Sequence, residues 1–265
     1  MSMVESPKDF MRLSQLKKDL LKAAHLAQEG HIPSAYSILD ILYCIYKPYF
    51  ANGSLKQQEL DFAFILSKGH ASLGLYAILS EIDLELKVWI DEFGKYDSKF
   101  GGHPDRNKVP GVTASTGSLG HGLPIAVGIA LANRAAKVSK KTIVLVGDGE
   151  LNEGSNWESM LVASHHNLCD LLIVTDFNHS TDRAVDLGNL ESKMKSFGLE
   201  TLTIDGHNHS EINSALKASG NTGPRCVIAK TIKGNGLKEM ENNPAWHHAS
   251  PNSQKLSEFI HELSP

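Results

Sequence analysis

The chain has 265 residues, 41% of them hydrophobic, and its 30 acidic and 26 basic side chains leave a formal net charge of −4. This length and apolar share are typical of a globular protein and exclude the disordered, collagen-like and coiled-coil classes. The balanced charge predicts no nucleic-acid partner. The longest apolar run, Ile125–Ala132, is too short to cross a bilayer, so we expect no membrane span.

Two features indicate a cytoplasmic protein. The first residues, MSMVESPKDF, carry acids and lack the apolar core of a signal peptide. The three cysteines, Cys44, Cys169 and Cys226, stand singly within apolar runs and have no CxxC spacing. They are therefore predicted to be buried thiols in a reducing compartment.

The first half of the chain is predicted to be mainly helical. Leucines and alanines at helical spacing predict a helix over Ser14–Gln28 that stops at Gly30, and Ser34 can cap a second helix. One strand and two further helices are predicted at Asp61–Ser67, Ala71–Ser80 and Leu123–Ala136, respectively. Residues 94–120 lack periodicity and are rich in small and polar residues, which is typical of a functional loop.

From residue 142 onward, strands that are apolar at every position alternate with helices. The strands are predicted at Thr142–Val146, Leu171–Thr175, Leu199–Ile204 and Cys226–Ala229, and the helices at Asn156–His166 and Ser210–Ser219. This alternation predicts an α/β fold, an open and mainly parallel sheet with helices on both faces. We expect a single domain over residues 1–265, with a polar tail after Asn242 that wraps the surface.

Histidine is unusually frequent, with thirteen in the chain. Seven lie in short segments that contain Gly or Pro: His31, His70, His103, His121, His207, His247 and His248. A single loop histidine is best explained as a solvated polar residue. Several of them in glycine-rich loops indicate a shared pocket, because imidazole can donate, accept or bind anions where the backbone approaches a ligand closely.

Polar groups follow two predicted neighbouring strands. Asp148 stands between Gly147 and Gly149 after one strand, and Asn178 follows the next. Since the carboxyl ends of parallel strands meet at one edge, these side chains are expected to converge there. Carboxylate and amide oxygens suit Mg²⁺ or Ca²⁺, and the glycines leave room for a diphosphate. The alternative is an Asp-Gly turn and an Asx turn, which are both common.

The segment GDGELNEGSNWES, with Asn178 further on, resembles the thiamine diphosphate signature in its transketolase form. Six further segments match in the order of that family: EGHIPSAYSILDILY, FILSKGHASLGLYAIL, GGHP, PGVTASTGSLGHGLPIAVGIALA, DGHNH and KTIKGNG…NNPAWHHASP. The resemblance covers essentially the whole chain. It is to the N-terminal, diphosphate-binding half of transketolase, as found in two-subunit enzymes, and it implies the thiamine diphosphate-binding fold, with the pyrimidine and C-terminal domains absent.

The resemblance implies a role for each matching residue. The implied metal ligands are Asp148, Asn178 and the main-chain carbonyl of Ser180. The implied contacts to thiamine diphosphate are His70, Gly147, Gly149, Glu153, Asn178 and His247, with Gly117, Ser118 and Leu119 around the aminopyrimidine. The implied catalytic residues, which line the donor channel and help to move protons at the sugar hydroxyls, are His31, His103 and His247.

Three segments depart from the pattern of the family. His121 replaces the glutamine of GSLGQG, Asn178–Ala184 replaces a segment like NKLQSDG, and Pro33–Tyr36 replaces a glycine-rich turn. All three lie around the implied cofactor and donor side, so a non-standard donor or acceptor stays open.

The resemblance also implies a partner, because the glutamate that activates the aminopyrimidine lies in the second half of transketolases. We therefore expect a C-terminal subunit with the pyrimidine domain, a homodimer of this chain alone, and a heterotetramer with the partner. The implied reaction is the transfer of a two-carbon ketol unit from a ketose, such as a sugar phosphate, to an aldose.

Two alternatives remain at this point. The alpha subunit of a 2-oxo acid dehydrogenase shares the GDG…N spacing but lacks SKGHAS, GGHP and AWHHAS. A non-catalytic or regulatory diphosphate-domain protein is the other, and the altered segment Asn178–Ala184 is the feature in its favour.

Overall fold

The computed structural model describes residues 6–50, 55, 60–182, 184–218, 220 and 222–264. The helices in these ranges are α1 (Pro7–Ala27), α2 (Ile32–Tyr46), α3 (Ser72–Leu79), α4 (Trp89–Glu92), α5 (Gly122–Ala135), α6 (Gly154–His165), α7 (Leu190–Ser196), α8 (His209–Lys217) and α9 (Ser253–Glu262). The strands are β1 (Phe62–Leu66), β2 (Lys141–Gly147), β3 (Leu171–Phe177), β4 (Glu200–Asp205) and β5 (Arg225–Lys230).

The five strands form one parallel sheet in the order β1-β2-β3-β5-β4. Alternate strand residues face opposite sides, so that Leu145 packs with one group of helices and Val144 with another. Helices α1, α2, α3, α8 and α9 cover the first face, and α5, α6 and α7 cover the second. The predicted α/β architecture with helices on both faces is confirmed.

The pairing of β2 with β3 positions the chemistry. Gly147 is in register with Asp176, so the segments after both strands emerge side by side at the carboxyl edge of the sheet. The sequence-based expectation that these two strands are neighbours is therefore correct.

The starts of the first two helices differ from the prediction. Helix α1 begins at Pro7, because the Ser6 hydroxyl accepts a hydrogen bond from the Asp9 amide (3.2 Å) and Pro7 fits the first helical turn. It ends at Ala27, with Gln28 in the left-handed conformation, so Gly30 is not its stop. Ser34 lies inside α2 and is not its cap.

The described residues include three short helices that the sequence pattern does not predict, namely α4, α7 and α9. Helix α9 lies in the tail beyond Asn242 and has a mostly polar sequence. Its Phe259 side chain is buried, and the centroid of this ring lies 5.4 Å from that of Trp246. Ser219, at the predicted end of the eighth helix, lies outside the described residues, and α8 ends at Lys217. Residues 94–120 form turns and bends, as expected.

The prediction of three buried thiols is correct for two of them. Cys44 and Cys226 are buried, whereas Cys169 is partly exposed because it sits in the turn before β3. Within the described ranges, none of the helices combines the length and the apolar character needed to cross a membrane.

Candidate active site

Asp148 and Asn178 converge on one backbone amide at the carboxyl edge of the sheet. The Ser180 amide donates to Asp148 Oδ2 (2.9 Å) and to Asn178 Oδ1 (3.1 Å). The Ser180 hydroxyl donates to Asp148 Oδ1 (3.1 Å), which also accepts from the Gly149 amide (2.7 Å). The three residues predicted as metal ligands are thus brought together by the β2–β3 pairing.

The orientation of the Asn178 amide suits a cation. Its nitrogen donates to Asp176 Oδ2 (3.0 Å) and to the Ser37 hydroxyl (3.1 Å), which turns its oxygen toward the side of Asp148. A carboxylate and an amide oxygen are hard donors that fit Mg²⁺ or Ca²⁺. The described part of the chain holds no metal-binding group of three or more His, Cys, Asp or Glu side chains, so such an ion would also need main-chain or ligand oxygens.

A buried ion pair lies beneath this site. Lys68 Nζ is 2.5 Å from Asp176 Oδ2, and both side chains are almost completely buried. Asp176 Oδ1 accepts from the hydroxyls of Ser37 (2.6 Å) and Thr231. Burial by itself would raise the pKa of Asp176, but the Lys68 charge and these hydrogen bonds hold it below its ordinary value. No sequence pattern indicates this pair, because its members are far apart along the chain.

Glu150 joins three loops at the site. One of its oxygens accepts from the Ser67 hydroxyl and from the Gly120 amide (2.9 Å), and the other accepts from the Gly147 amide (3.2 Å). Burial raises the pKa of this carboxyl above its usual range. The residue stands inside the GDGE motif, yet the motif by itself indicates no role for it.

The predicted aminopyrimidine loop, residues 117–119, is packed closely against the segment after β1. A Cβ atom on Gly69 would lie 2.8 Å from the main-chain carbon of Thr116, and one on Gly122 would lie 2.6 Å from Ser67 Cα. The Thr116 hydroxyl donates to the Leu66 carbonyl (2.6 Å). Only glycine permits these approaches, and the loop itself remains accessible, with Ser118 exposed.

Four of the loop histidines form a cluster centred on His31. The ring centroid of His31 lies 5.1 Å from that of His70, 5.4 Å from that of His247 and 4.5 Å from that of His248. His103 is exposed at the neighbouring loop, where a Cβ atom on Gly117 would lie 3.0 Å from its ring. The structure therefore brings the three predicted catalytic histidines to one side of the cofactor loops.

The other predicted residues lie at the rim. Glu153 is exposed at the N-terminal cap of α6 and its Cβ lies beside Gly120. His121 is exposed at the start of α5. His207, which belongs to the unusual set of loop histidines, lies outside the cluster and pairs with Asp40.

Lys233 lies within the KTIKGNG segment, which by itself indicates no role for this residue. Its ammonium lies 3.1 Å from His247 Nδ1. One pocket is shared by Asn178, His179, Ser180, Lys233, Asn242, Asn243, Pro244 and His247. A cation therefore stands in the same pocket as the Asp148–Asn178 edge, an arrangement that would stabilise a metal-bound anion.

Burial and neighbouring positive charges lower the pKa values of His31, His70 and Lys233. Burial first, and then the charges of nearby histidines and Lys233, lower the pKa of His31 to about 4. Burial and Lys68 lower the pKa of His70 to about 2, and burial and Lys68 lower the pKa of Lys233 to about 8. Near neutral pH, His31 and His70 are therefore uncharged.

These shifts predict an acid-sensitive fold. Because the pKa of His70 falls from an unfolded value near 6.5 to about 2, the unfolded chain takes up this proton first as the pH falls. The free energy of unfolding should drop by about 1 kcal/mol between pH 6.5 and 5.5 from this residue. Urea unfolding of the wild type and of His70→Asn measures it, with the exposed His261→Asn as control. An equal acid loss in the wild type and His70→Asn would contradict the assignment.

The sheet is all-parallel, a carboxylate and an amide oxygen meet at adjacent strand ends, and a pocket with a lysine lies beside them. This defines an α/β domain whose strand-end edge has the chemistry that suits a metal ion and a diphosphate. Residues 13–262 match the family model described as "Transketolase, thiamine diphosphate binding domain". The chain therefore belongs to the transketolase N-terminal, thiamine diphosphate-binding family.

The proteins that match include subunits of about the same length as this chain and a transketolase more than twice as long. It is 36% identical over 255 residues to a subunit of apulose-4-phosphate transketolase from Actinobacillus succinogenes, covering 93% of this chain and 92% of the relative. The corresponding subunit from Phocaeicola vulgatus is 31% identical over 256 residues, at 94% and 91% coverage. The crystal structure of transketolase from Campylobacter jejuni superposes with a TM-score of 0.82 at 29% identity, and the match covers 97% of this chain but only 42% of that protein.

These findings confirm the resemblance, the fold and the prediction of a transketolase-type enzyme subunit. The family is that of transketolase and not of the 2-oxo acid dehydrogenases, so the first alternative is set aside. The roles of the individual site residues stay predictions.

Proposed function

We propose that this chain is the diphosphate-binding subunit of a two-subunit transketolase that uses thiamine diphosphate and Mg²⁺. The observation that carries the proposal is the convergence of Asp148 and Asn178 on the Ser180 amide, beside the pocket of Lys233 and His247. The reaction is the transfer of a two-carbon ketol unit from a ketose to an aldose. A coupled assay of the chain with its partner subunit, with and without Mg²⁺ and cofactor, tests it.

In this proposal, different residues of the chain bind the metal, contact the diphosphate and transfer protons. Asp148, Asn178 and the Ser180 carbonyl would hold the metal, and Gly147, Gly149 and Lys233 would lie next to the diphosphate. Bound thiamine diphosphate supplies the electron sink for cleavage of the carbon–carbon bond. The imidazoles of His31, His103 and His247 would accept and return protons at the sugar hydroxyls, and His70 would contact diphosphate or substrate oxygens.

For the donor, we propose apulose 4-phosphate as the first substrate to test. The support is similarity along nearly the whole length of two relatives that are subunits of apulose-4-phosphate transketolases. The cationic pocket is suited to a phosphorylated ligand. The same assay run with a panel of ketose phosphates, compared at equal concentration by kcat/KM, identifies the preferred donor. A higher kcat/KM for another ketose would reject this choice.

An accessible apolar surface on α5 and α6 supports association through this face. Ile125, Leu161 and Val162 are 38%, 56% and 42% exposed, and a Cβ atom on Gly128 or on Gly154 would meet nothing within 4 Å. The sequence predicts an association surface around Gly117–Leu123 and Gly154–Trp157, and the structure differs from this prediction at two residues. Leu123 is buried and the Trp157 indole donates to the Leu151 carbonyl (2.7 Å), because both pack into the domain.

We propose that this face joins two copies of the chain and that each copy also binds a C-terminal subunit with the pyrimidine domain, giving a heterotetramer. Glycines on the exposed faces of α5 and α6 allow a helix of a second chain to approach closely, and the exposed aliphatic side chains would be buried by it. Sedimentation of the chain alone and of the reconstituted mixture tests both steps. Leu161→Glu should shift the isolated chain toward monomer, whereas Leu26→Glu, at an exposed leucine of α1, should not.

His247 and His248 can be separated by mutation. His247 lines the pocket beside Lys233, whereas the His248 ring lies 4.5 Å from that of His31 and is not among the residues that line this pocket. We expect His247→Asn to lower kcat/KM of the reconstituted enzyme by roughly 100-fold and His248→Asn by less than about 10-fold. Steady-state kinetics of both variants with one donor measures the difference. A larger loss from His248→Asn would show that the sequence match is displaced by one residue.

A further inference from the structure

Lys233 lies on a short loop after β5, residues 232–236, which we call the lysine loop. Three main-chain groups of this loop are held by other parts of the fold. The Gly234 amide donates to the Pro33 carbonyl (3.1 Å), and the Asn235 carbonyl accepts from Lys17 Nζ (2.8 Å). The Gly236 amide donates to Glu241 Oε1 (2.9 Å). The position of the Lys233 backbone is thus set by contacts from several elements.

A fourth main-chain group, the Lys233 carbonyl, accepts from the Asn242 amide (2.8 Å). A fifth contact comes from His207, at the residue before Lys233. The Ile232 amide, which immediately precedes Lys233, donates to His207 Nε2 (2.9 Å). Since Nε2 accepts a hydrogen bond, the ring proton resides on Nδ1, and Nδ1 lies 2.8 Å from Asp40 Oδ2.

Asp40 fixes this histidine from within the core. It is a nearly fully buried carboxylate on α2, and its second oxygen accepts from His209 Nε2 (3.0 Å). A buried carboxylate with two imidazole donors is a rigid anchor, because moving either ring would leave one of its oxygens without that partner. The chain of contacts therefore runs from the core through His207 to the Ile232 amide.

We infer that His207, oriented by Asp40, is a positioning residue that sets the lysine loop so that the Lys233 ammonium meets the diphosphate of the bound cofactor. This inference rests on the proposed function, since it assigns Lys233 to that diphosphate. The lysine side chain has four rotatable bonds, so its reach into the pocket depends on a fixed backbone. Among the described residues, those that line the pocket with Lys233 do not include His207.

A double-mutant cycle tests the inference without recourse to activity. Titration calorimetry measures the Kd of inorganic pyrophosphate with Mg²⁺ for the full chain, and the melting temperature is recorded for each variant. We expect Lys233→Met to weaken binding by about 30-fold and His207→Phe by about 10-fold. In the Lys233→Met background, His207→Phe should change the Kd by less than about twofold, because its effect passes through the lysine.

His209→Gln is the matched control, because His209 donates to the other oxygen of the same carboxylate while its ring stacks on Tyr43 of α2. We expect it to lower the melting temperature about as much as His207→Phe while leaving the Kd within about twofold. Equal losses of affinity in both variants, or a full His207→Phe effect without Lys233, would overturn the inference. If instead Lys233→Met and Asp148→Ala both leave the Kd unchanged, the proposed diphosphate site itself is wrong.

Discussion

Asp148→Ala should abolish metal-dependent binding of thiamine diphosphate. Asp148 is the buried carboxylate of the oxygen pair, and its two oxygens already collect three hydrogen bonds from Gly149 and Ser180. Removing it deletes the charge that offsets a divalent cation, so we expect the Kd of the cofactor with Mg²⁺ to rise by at least about 100-fold, or ~3 kcal/mol. Titration calorimetry on the assembled enzyme measures it.

His103→Ala is the matched comparison for this experiment. His103 is exposed beside Gly117 and belongs to the predicted donor channel, away from the Asp148–Asn178 edge. It should leave the cofactor Kd within about threefold and lower kcat by roughly 10- to 100-fold. Unchanged cofactor affinity in Asp148→Ala, with a melting temperature near that of the wild type, would refute the metal site.

The second large effect concerns the partner subunit. The highly purified chain alone should show no donor-dependent consumption of aldose, and the addition of the subunit with the pyrimidine domain should produce turnover. The chain spans 42% of the length of the Campylobacter jejuni transketolase that it superposes on. Under the proposed function, the group that activates the aminopyrimidine comes from the partner, so the reactive form of the cofactor would form too rarely in this chain alone.

The control separates a missing subunit from an inactive domain. Cofactor and Mg²⁺ are titrated against the single chain and then against the mixture, and activity is measured in parallel. Binding with turnover only in the mixture supports the two-subunit enzyme. Full turnover by the single chain would contradict it, and binding without turnover in any reconstituted mixture would favour the non-catalytic alternative.

The strand-end site could be predicted because it depends on a local pattern. Each of β2 and β3 contains a run of consecutive apolar residues and is followed directly by its polar residue, and a right-handed crossover places such strands in one sheet. The positions of Asp148 and Asn178 at one edge therefore follow from short segments of sequence.

Other parts of the site could not be predicted because their partners are remote in sequence. Lys68 is buried only because Asp176, 108 residues away, supplies a compensating charge, and a lysine after a strand gives no sign of this. The sequence analysis groups His207 with the histidines of a shared pocket. In the structure, His207 pairs with Asp40 of α2 and lies outside the histidine cluster. Helix α9 is not predicted because its sequence is mostly polar. Such a short helix is stabilised mainly by tertiary packing, here by the burial of Phe259 in the core.

The sequence by itself determined the alternation of strands and helices, the order of the motifs and the edge of the sheet at which Asp148 and Asn178 meet. These properties arise from periodicity and from residues adjacent in the chain. Only the tertiary structure decided which histidines cluster, which carboxylates are buried and where Lys233 points. The physical reason is that burial and charge compensation are properties of side chains that meet in space, and a buried ion pair or an anchored loop is stable only when all its partners are in place.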